Sequence, residues 1–280
     1  MNLLFYEEWK NTDAVKILTY FLDAVMEEFI VKGSGIDYLD RAVLFSQNHR
    51  ALGIGVLGWH SYLQNNMIPF ESFKASQKNA EIFKFIKEKT LEASKDLFKM
   101  FGPPEKYPNL DRRNTTLMAI APTKSSSFIL GQVSPSIEPY KSNYYIKDLA
   151  KVKEVFRNPY LKELLKLKQQ DNDEVWDSIL NKDGSVQHLD FLTQEEKDTF
   201  KTFKEISQIS IIKQASQRQK FIDQGQSINV MIHPSTPLKD INTLYLEAAD
   251  LGIKSLYYQI NLSAAQEFNR NILECEACSA

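Results

Sequence analysis

Cysteine is nearly missing from this chain: 280 residues carry two, Cys275 and Cys278, and both fall within the last six. That excludes the disulfide framework of a small secreted protein. Histidine is sparse as well. His49, His60, His188 and His233 show no ligand spacing, and the tail offers the two cysteines no further ligands, so no metal site is expected. Isolated histidines of this kind read as hydrogen-bonded structural groups. No apolar run is long enough to span a membrane, and the polar start Met1-Asn2-Leu3-Leu4-Phe5-Tyr6-Glu7-Glu8 is unlike a signal peptide. A formal charge of -2 supplies no bulk attraction to nucleic acid or to a membrane surface. A reducing cytoplasm is the expected compartment.

What is present is an ordinary globular composition, 43% hydrophobic and 25% charged. Helical periodicity dominates. Ala14, Val15, Leu18, Phe21, Leu22, Val25 and Phe29 recur at three and four, which predicts a helix over 12–32 stopped by Gly33. A weaker pattern covers 36–48. A long helix is predicted over about 73–101, ended by Gly102-Pro103-Pro104. Residues 147–205 read as charged and helical, with turns at Asn158-Pro159 and Asp183-Gly184 and a capping box at Thr193 and Glu196. Further helices are predicted over 208–224 and from a Thr236 cap with Pro237 at the first position to Gly252.

Between the helices lie four runs that read as buried strands: 51–57, 115–121, 227–232 and 254–259. Strands separated by long helices imply a parallel α/β arrangement. Four strands are few for 280 residues, and an open sheet of that size would expose its edges. The pattern therefore suggests part of a larger sheet or barrel.

Four motifs bear on chemistry. Gly53-Ile54-Gly55-Val56-Leu57-Gly58 matches the dinucleotide fingerprint, but its glycines lie inside a strand and not after one. Close backbone packing is the better reading. Pro122-Thr123-Lys124-Ser125-Ser126-Ser127 follows the C-terminal end of a strand and opens a helix. Free N–H groups and hydroxyls there suit a phosphate, with Lys124 as extra charge; an ordinary serine-rich cap would look the same. Tyr257-Tyr258 lies in the last strand, where neighbours face opposite sides, so two phenols on one path would require an irregular strand. Cys275-Glu276-Ala277-Cys278 has redox spacing without the βαβ unit of a thioredoxin-like fold. It is either a mobile dithiol that reduces a disulfide elsewhere or a tail of no consequence.

Several blocks, taken in order, resemble the C-terminal part of the large (alpha) subunit of class I ribonucleotide reductase. They are Asn48-His49-Arg50-Ala51-Leu52-Gly53-Ile54-Gly55-Val56, Arg113-Asn114-Thr115-Thr116-Leu117, Ala121-Pro122-Thr123-Lys124-Ser125-Ser126-Ser127 with Ser136-Ile137-Glu138-Pro139, Gln219-Lys220-Phe221-Ile222-Asp223-Gln224, Lys254-Ser255-Leu256-Tyr257-Tyr258-Gln259 and the cysteine tail. The resemblance implies an α/β fold: the C-terminal half of a ten-stranded α/β barrel, helix-rich, over 1–261, followed by a flexible redox tail over 262–280. It implies that Pro122, Thr123, Lys124, Ser125 and Ser126 bind the diphosphate of a ribonucleoside diphosphate. Tyr257 and Tyr258 would relay a radical by proton-coupled electron transfer, with Tyr257 next to the catalytic cysteine and Tyr258 nearer the small (beta) subunit. Cys275 and Cys278 would be the shuttle dithiol, recharged by thioredoxin or glutaredoxin. The metal that generates the radical would belong to the small subunit, and no cofactor is expected on this chain.

The family's radical-forming cysteine, its two active-site redox cysteines, and the asparagine and glutamate beside its finger loop belong in or upstream of the region where this sequence starts. The chain is accordingly expected to be one piece of a split or truncated subunit, from gene fission or an interrupted gene as in a phage genome. It would act in the (host) cytoplasm as a ribonucleoside-diphosphate reductase only with an N-terminal chain that supplies the missing cysteines. The alternative is a non-catalytic fragment that binds the small subunit or a partner chain.

Overall fold

A computed structural model describes residues 1–149 and 152–261. The shuttle-dithiol residues Cys275 and Cys278 lie outside the described residues. A 3-10 turn, Leu3–Phe5, leads into α1 (Tyr6–Trp9), α2 (Ala14–Gly33), α3 (Asp40–His49), α4 (Trp59–Asn65), α5 (Phe73–Phe101) and α6 (Lys124–Ile129). A hairpin of β1 (Tyr144–Leu149) and β2 (Val152–Arg157) precedes α7 (Pro159–Leu167), α8 (Asp173–Asn181), α9 (Gln194–Thr199) and α10 (Gln208–Gln219). Then come β3 (Val230–Ile232), α11 (Leu238–Asp250) and β4 (Gln259–Asn261).

The predicted strands lie side by side and parallel, in chain order, though most pair through single bridges. Asn2 bridges to Leu57, Ile54 to Met118 and Ile120 to Gln226, and β3 pairs with β4 from Val230↔Gln259 to Ile232↔Asn261. The Met1–Leu3 edge is too short to carry periodicity. Its ammonium donates to the Gly55 carbonyl at 2.7 Å. Gly55 shows why the glycines sit within the strand: a Cβ there would come within 2.6 Å of the Ala119 carbonyl oxygen. Gly58 takes φ 82 at the start of α4. The glycine motif thus serves close packing.

Helix α5 packs along α2 and α10. Ser72 caps it, accepting from the Ala75 N–H at 3.1 Å, and its stripe of Ile82, Phe83 and Ile86 is wholly buried against the parallel segments. Helix α10 stops at Gln219, five residues earlier than its periodicity predicts. The chain unwinds there to stitch the segments together. Asp223 accepts the N–H groups of Leu117 (2.9 Å) and Met118 (3.1 Å), and Gln224 donates to Leu52 O (2.8 Å) and Thr116 Oγ1 (2.9 Å). At Arg50, φ is 41 and the buried guanidinium donates to both Asp23 oxygens and to Glu27. That network ties the end of α3 to α2.

The helical expectation for 147–205 is corrected at its start. Tyr144–Leu149 and Val152–Arg157 pair as antiparallel strands, in register Tyr144↔Arg157 and Tyr145↔Phe156. Lysines and glutamates there favour helix, but the stacked Tyr145–Phe156 pair, 4.7 Å apart, rewards the strand. Three helices follow as expected, α7, α8 and α9, with irregular chain between them and over 200–205. Asn158 caps α7 with Pro159 at its first position, and the Thr193–Glu196 capping box is present. These elements pack round Trp176 as a second, smaller core. Helix α11 begins at Leu238, so Pro237 is its cap residue and not its first position. Thr236 is occupied in a turn, donating its N–H to His233 O.

Candidate functional site

The serine-rich loop follows the segment that ends in Ile120, and its conformation is set by Thr123. This residue has φ 46, an outlying value for a β-branched side chain. A threonine at a helix start ordinarily caps its own helix. Here Thr123 Oγ1 instead accepts the N–H of Ser136 at 2.7 Å and makes no cap bond to α6. Ser127 is the helix residue whose N–H returns to Thr123 O, at 2.8 Å. The geometry of a first turn leaves the N–H groups of Lys124, Ser125 and Ser126 outside the helical bonding, and all three residues are exposed. The loop therefore turns donors outward while its own hydroxyl holds the interior.

Beside α6 lies a cavity of about 480 Å³ that Lys124, Phe128, Glu138, Tyr140 and Lys141 help to line. Glu138 is buried and accepts from the Asn229 side chain. Burial raises its carboxyl above the ordinary range, against the opposing pull of Lys124, the Asn229 hydrogen bond and Lys141. His60 is fully buried behind this segment. Its Nδ1 accepts the Tyr140 N–H at 2.9 Å, and burial lowers its pKa to about 3. It is a neutral structural group, in line with the sequence reading.

The tyrosine pair sits just before β4, and the strand there is irregular. In a regular parallel ladder, one residue opposite Asn229 would donate to Ile228 O and accept from Val230 N–H. Two residues share that task here. Tyr257 donates to Ile228 O at 2.8 Å, and Tyr258 O accepts from Val230 N–H at 3.0 Å. The segment carries one extra residue, a β-bulge. The surplus N–H of Tyr258 goes to Asn229 Oδ1 at 3.1 Å. The bulge removes the strict alternation that would separate the two side chains. Their ring centroids are 4.2 Å apart at 50°, and both rings are about half exposed. A hydrogen bond with Tyr258 holds the Tyr257 phenol above its ordinary value.

The family description "Ribonucleotide reductase, barrel domain" matches residues 5–112 and 111–259. The chain belongs to the ribonucleotide reductase barrel-domain family. It is similar to the class Id ribonucleotide reductase alpha subunit of Actinobacillus ureae, with a TM-score of 0.89 and 62% identity over 94% of this chain and 49% of that one. It is 40% identical over 263 residues to the ribonucleoside-diphosphate reductase large subunit of Invertebrate iridescent virus 6, covering 92% of this chain and 27% of that protein. The corresponding large subunit of Danio rerio is 32% identical over 219 residues, 67% of this chain. The chain spans between about a quarter and a half of the length of these relatives. The row of parallel segments is thus part of that family's barrel.

Within the ribonucleotide reductase frame, the structure brings Pro122–Ser126 and Tyr257–Tyr258 to either side of one segment, 224–232. Two residues to which sequence reasoning gave no role join them: Glu138 and Asn229. Asn229 did carry a signal, being an amide inside the apolar run Ile228 to Ile232, where a buried polar group needs partners. Among the described residues, no group of three or more His, Cys, Asp or Glu could hold a metal ion, and no helix is long and apolar enough to cross a membrane.

Proposed function

We propose that this chain is the C-terminal component of a ribonucleoside-diphosphate reductase large subunit in the cytoplasm. It works with an N-terminal chain that carries the catalytic cysteines, and with the small subunit that supplies the radical. The observation that carries the reading is the contact of the Tyr257 and Tyr258 rings across a bulge, close to an outward-facing donor loop in a reductase barrel.

Each part has a chemical task. The N–H groups of Lys124, Ser125 and Ser126 and their hydroxyls meet the diphosphate of the substrate, with Pro122 and Thr123 shaping the turn. Lys124 adds charge at the same edge. An oxidising radical delivered from the small subunit takes one electron and one proton from Tyr258. The Tyr258 radical then takes both from Tyr257, and the Tyr257 radical takes both from the cysteine of the partner chain. The hydrogen bond between the phenols gives the proton a path as the electron moves. After turnover, a thiolate of Cys275 or Cys278 attacks the active-site disulfide and the second thiol completes the exchange. Thioredoxin or glutaredoxin then reduces the tail.

Co-expression with the N-terminal large-subunit chain and the small subunit should give deoxynucleotide formation that Tyr257→Phe and Cys275→Ser abolish. No deoxynucleotide formation with the native chain and no complex on gel filtration would leave a non-catalytic fragment as the better reading, and activity that survives both substitutions would remove the relay and dithiol roles.

A further inference from the structure

We propose that Asn229 and Glu138 are positioning residues for the tyrosine pair, holding the bulge at Tyr257–Tyr258 and registering it against the loop at 122–126. This rests on the relay reading given above and adds to it the device that keeps both rings on one face.

The bulge has a specific weakness. Its extra residue leaves the Tyr258 N–H without a place in the ladder, and Asn229 Oδ1 fills that need. An asparagine side chain can rotate and can present either its oxygen or its nitrogen. Glu138 removes that freedom. Its carboxylate accepts only, so Asn229 Nδ2 must face it and Oδ1 must face Tyr258. Both residues are almost wholly buried, at 2% and 4% exposure, which excludes water as a ready substitute partner. The bond is also charge-assisted when Glu138 is ionised, and such bonds are among the stronger ones.

Glu138 is in turn fixed to the loop. Its N–H donates to Pro135 O at 2.9 Å, which closes a tight turn. Two residues earlier, the Ser136 N–H donates to Thr123 Oγ1 at 2.7 Å. Ile137 between them is buried in the main core and prevents the turn from sliding. A hydrogen bond joins Thr123 to Ser136, the backbone of the turn carries the link to Glu138, and hydrogen bonds then run through Asn229 to the Tyr258 amide. A shift of the loop on taking up an anion is therefore transmitted to the bulge, and by reciprocity a change at the bulge reaches the loop.

The test uses the full 280-residue chain, with amide hydrogen exchange at Tyr258 as the readout and inorganic pyrophosphate as the probe. Pyrophosphate should slow Tyr258 exchange in the native chain. Glu138→Ala and Asn229→Ala should each speed it about fivefold or more, as loss of one hydrogen bond predicts, and should erase the pyrophosphate response. Glu138→Gln, whose amide oxygen still accepts from Asn229, should restore both. Amides round Trp176 should not change in any of them, which separates a local effect from general loosening.

Unaltered Tyr258 exchange in Glu138→Ala, or a pyrophosphate response that survives it, would overturn the proposal. If an alanine variant does not fold, Asn229→Asp takes its place. It keeps an acceptor for Tyr258 but sets a second carboxylate against Glu138, so faster exchange supports the proposal and unchanged exchange refutes it. If pyrophosphate does not bind the native chain, the phosphate reading of the loop falls and Thr123→Val decides the registration. Faster Tyr258 exchange upholds it, and no change removes it. A complemented reductase that stays active with Tyr258→Phe would discard the relay reading and leave the exchange result standing.

Discussion

Loop 122–126 takes its shape from the protein interior, whereas Tyr257 and Tyr258 take theirs from one bulge and from each other. In the loop, a strained Thr123 spends its hydroxyl on Ser136, and the outward groups are left open. In the tyrosine pair, both backbone N–H groups are bound, while the rings stand half exposed in mutual contact. The difference suits the two tasks proposed for them. A site that meets a charged group needs fixed donors aimed outward. A pair that passes an electron and a proton needs ring contact, which a backbone irregularity can secure without burying either phenol.

The largest expected effect falls on the pair. Tyr258→Phe keeps the ring but removes the phenolic proton, so deoxynucleotide formation in the complemented reductase should drop to background. Retained turnover would end the contrast between the two regions as drawn.

Acid should act on the loop side. The unfolded chain's histidine protonates near 6.5, while folded His60 resists protonation down to about 3. Below pH 6.5 the unfolded state binds the extra proton, so stability is complete above that value and is lost as pH falls toward 3. The slope is about 1.4 kcal/mol per pH unit for this group. Since His60 Nδ1 holds the Tyr140 N–H, two residues past Glu138, the loop side should loosen first. Urea unfolding across this range should show a shallower slope for His60→Asn than for the native chain. Equal slopes would break the assignment.

Asn229→Ala should cost about 1–3 kcal/mol, because it strands the part-buried Tyr258 N–H and a buried Glu138 oxygen together. Thr123→Val should cost about 1 kcal/mol, for one part-buried bond lost at constant shape. Chemical denaturation ranks the two, and a reversed order would mean that the loop, not the bulge, carries the strain. The smallest effect returns to Tyr258→Phe, whose thermal unfolding should lie within about 0.5 kcal/mol of native, as for most exposed sites. The same substitution would then give the largest change in activity and the least in stability.

Much of this was legible in the sequence. The helices over 14–33 and 73–101 follow from apolar residues at three and four with glycine stops, and the parallel order of the strands follows from the helices between them. The hairpin at 144–157 was not, because its lysines and glutamates favour helix and only the cross-strand Tyr145–Phe156 contact reverses that preference. Both candidate regions were named from sequence. The loop was visible as hydroxyls after a strand, and the tyrosines as adjacent phenols, but their roles came from resemblance to the family.

By itself, the sequence determined the limits of the two long helices to within two residues, the apolar segments that must be buried and the residue types available at each site, since these depend on neighbours along the chain. Tertiary structure alone decided that Tyr257 and Tyr258 share a face, that Thr123 turns its hydroxyl to Ser136, and that Asn229 and Glu138 join the two. Each of these rests on partners 13 to 91 residues apart or on a bulge in a parallel ladder. No local propensity encodes such pairings. They exist only once the core has brought the segments into register.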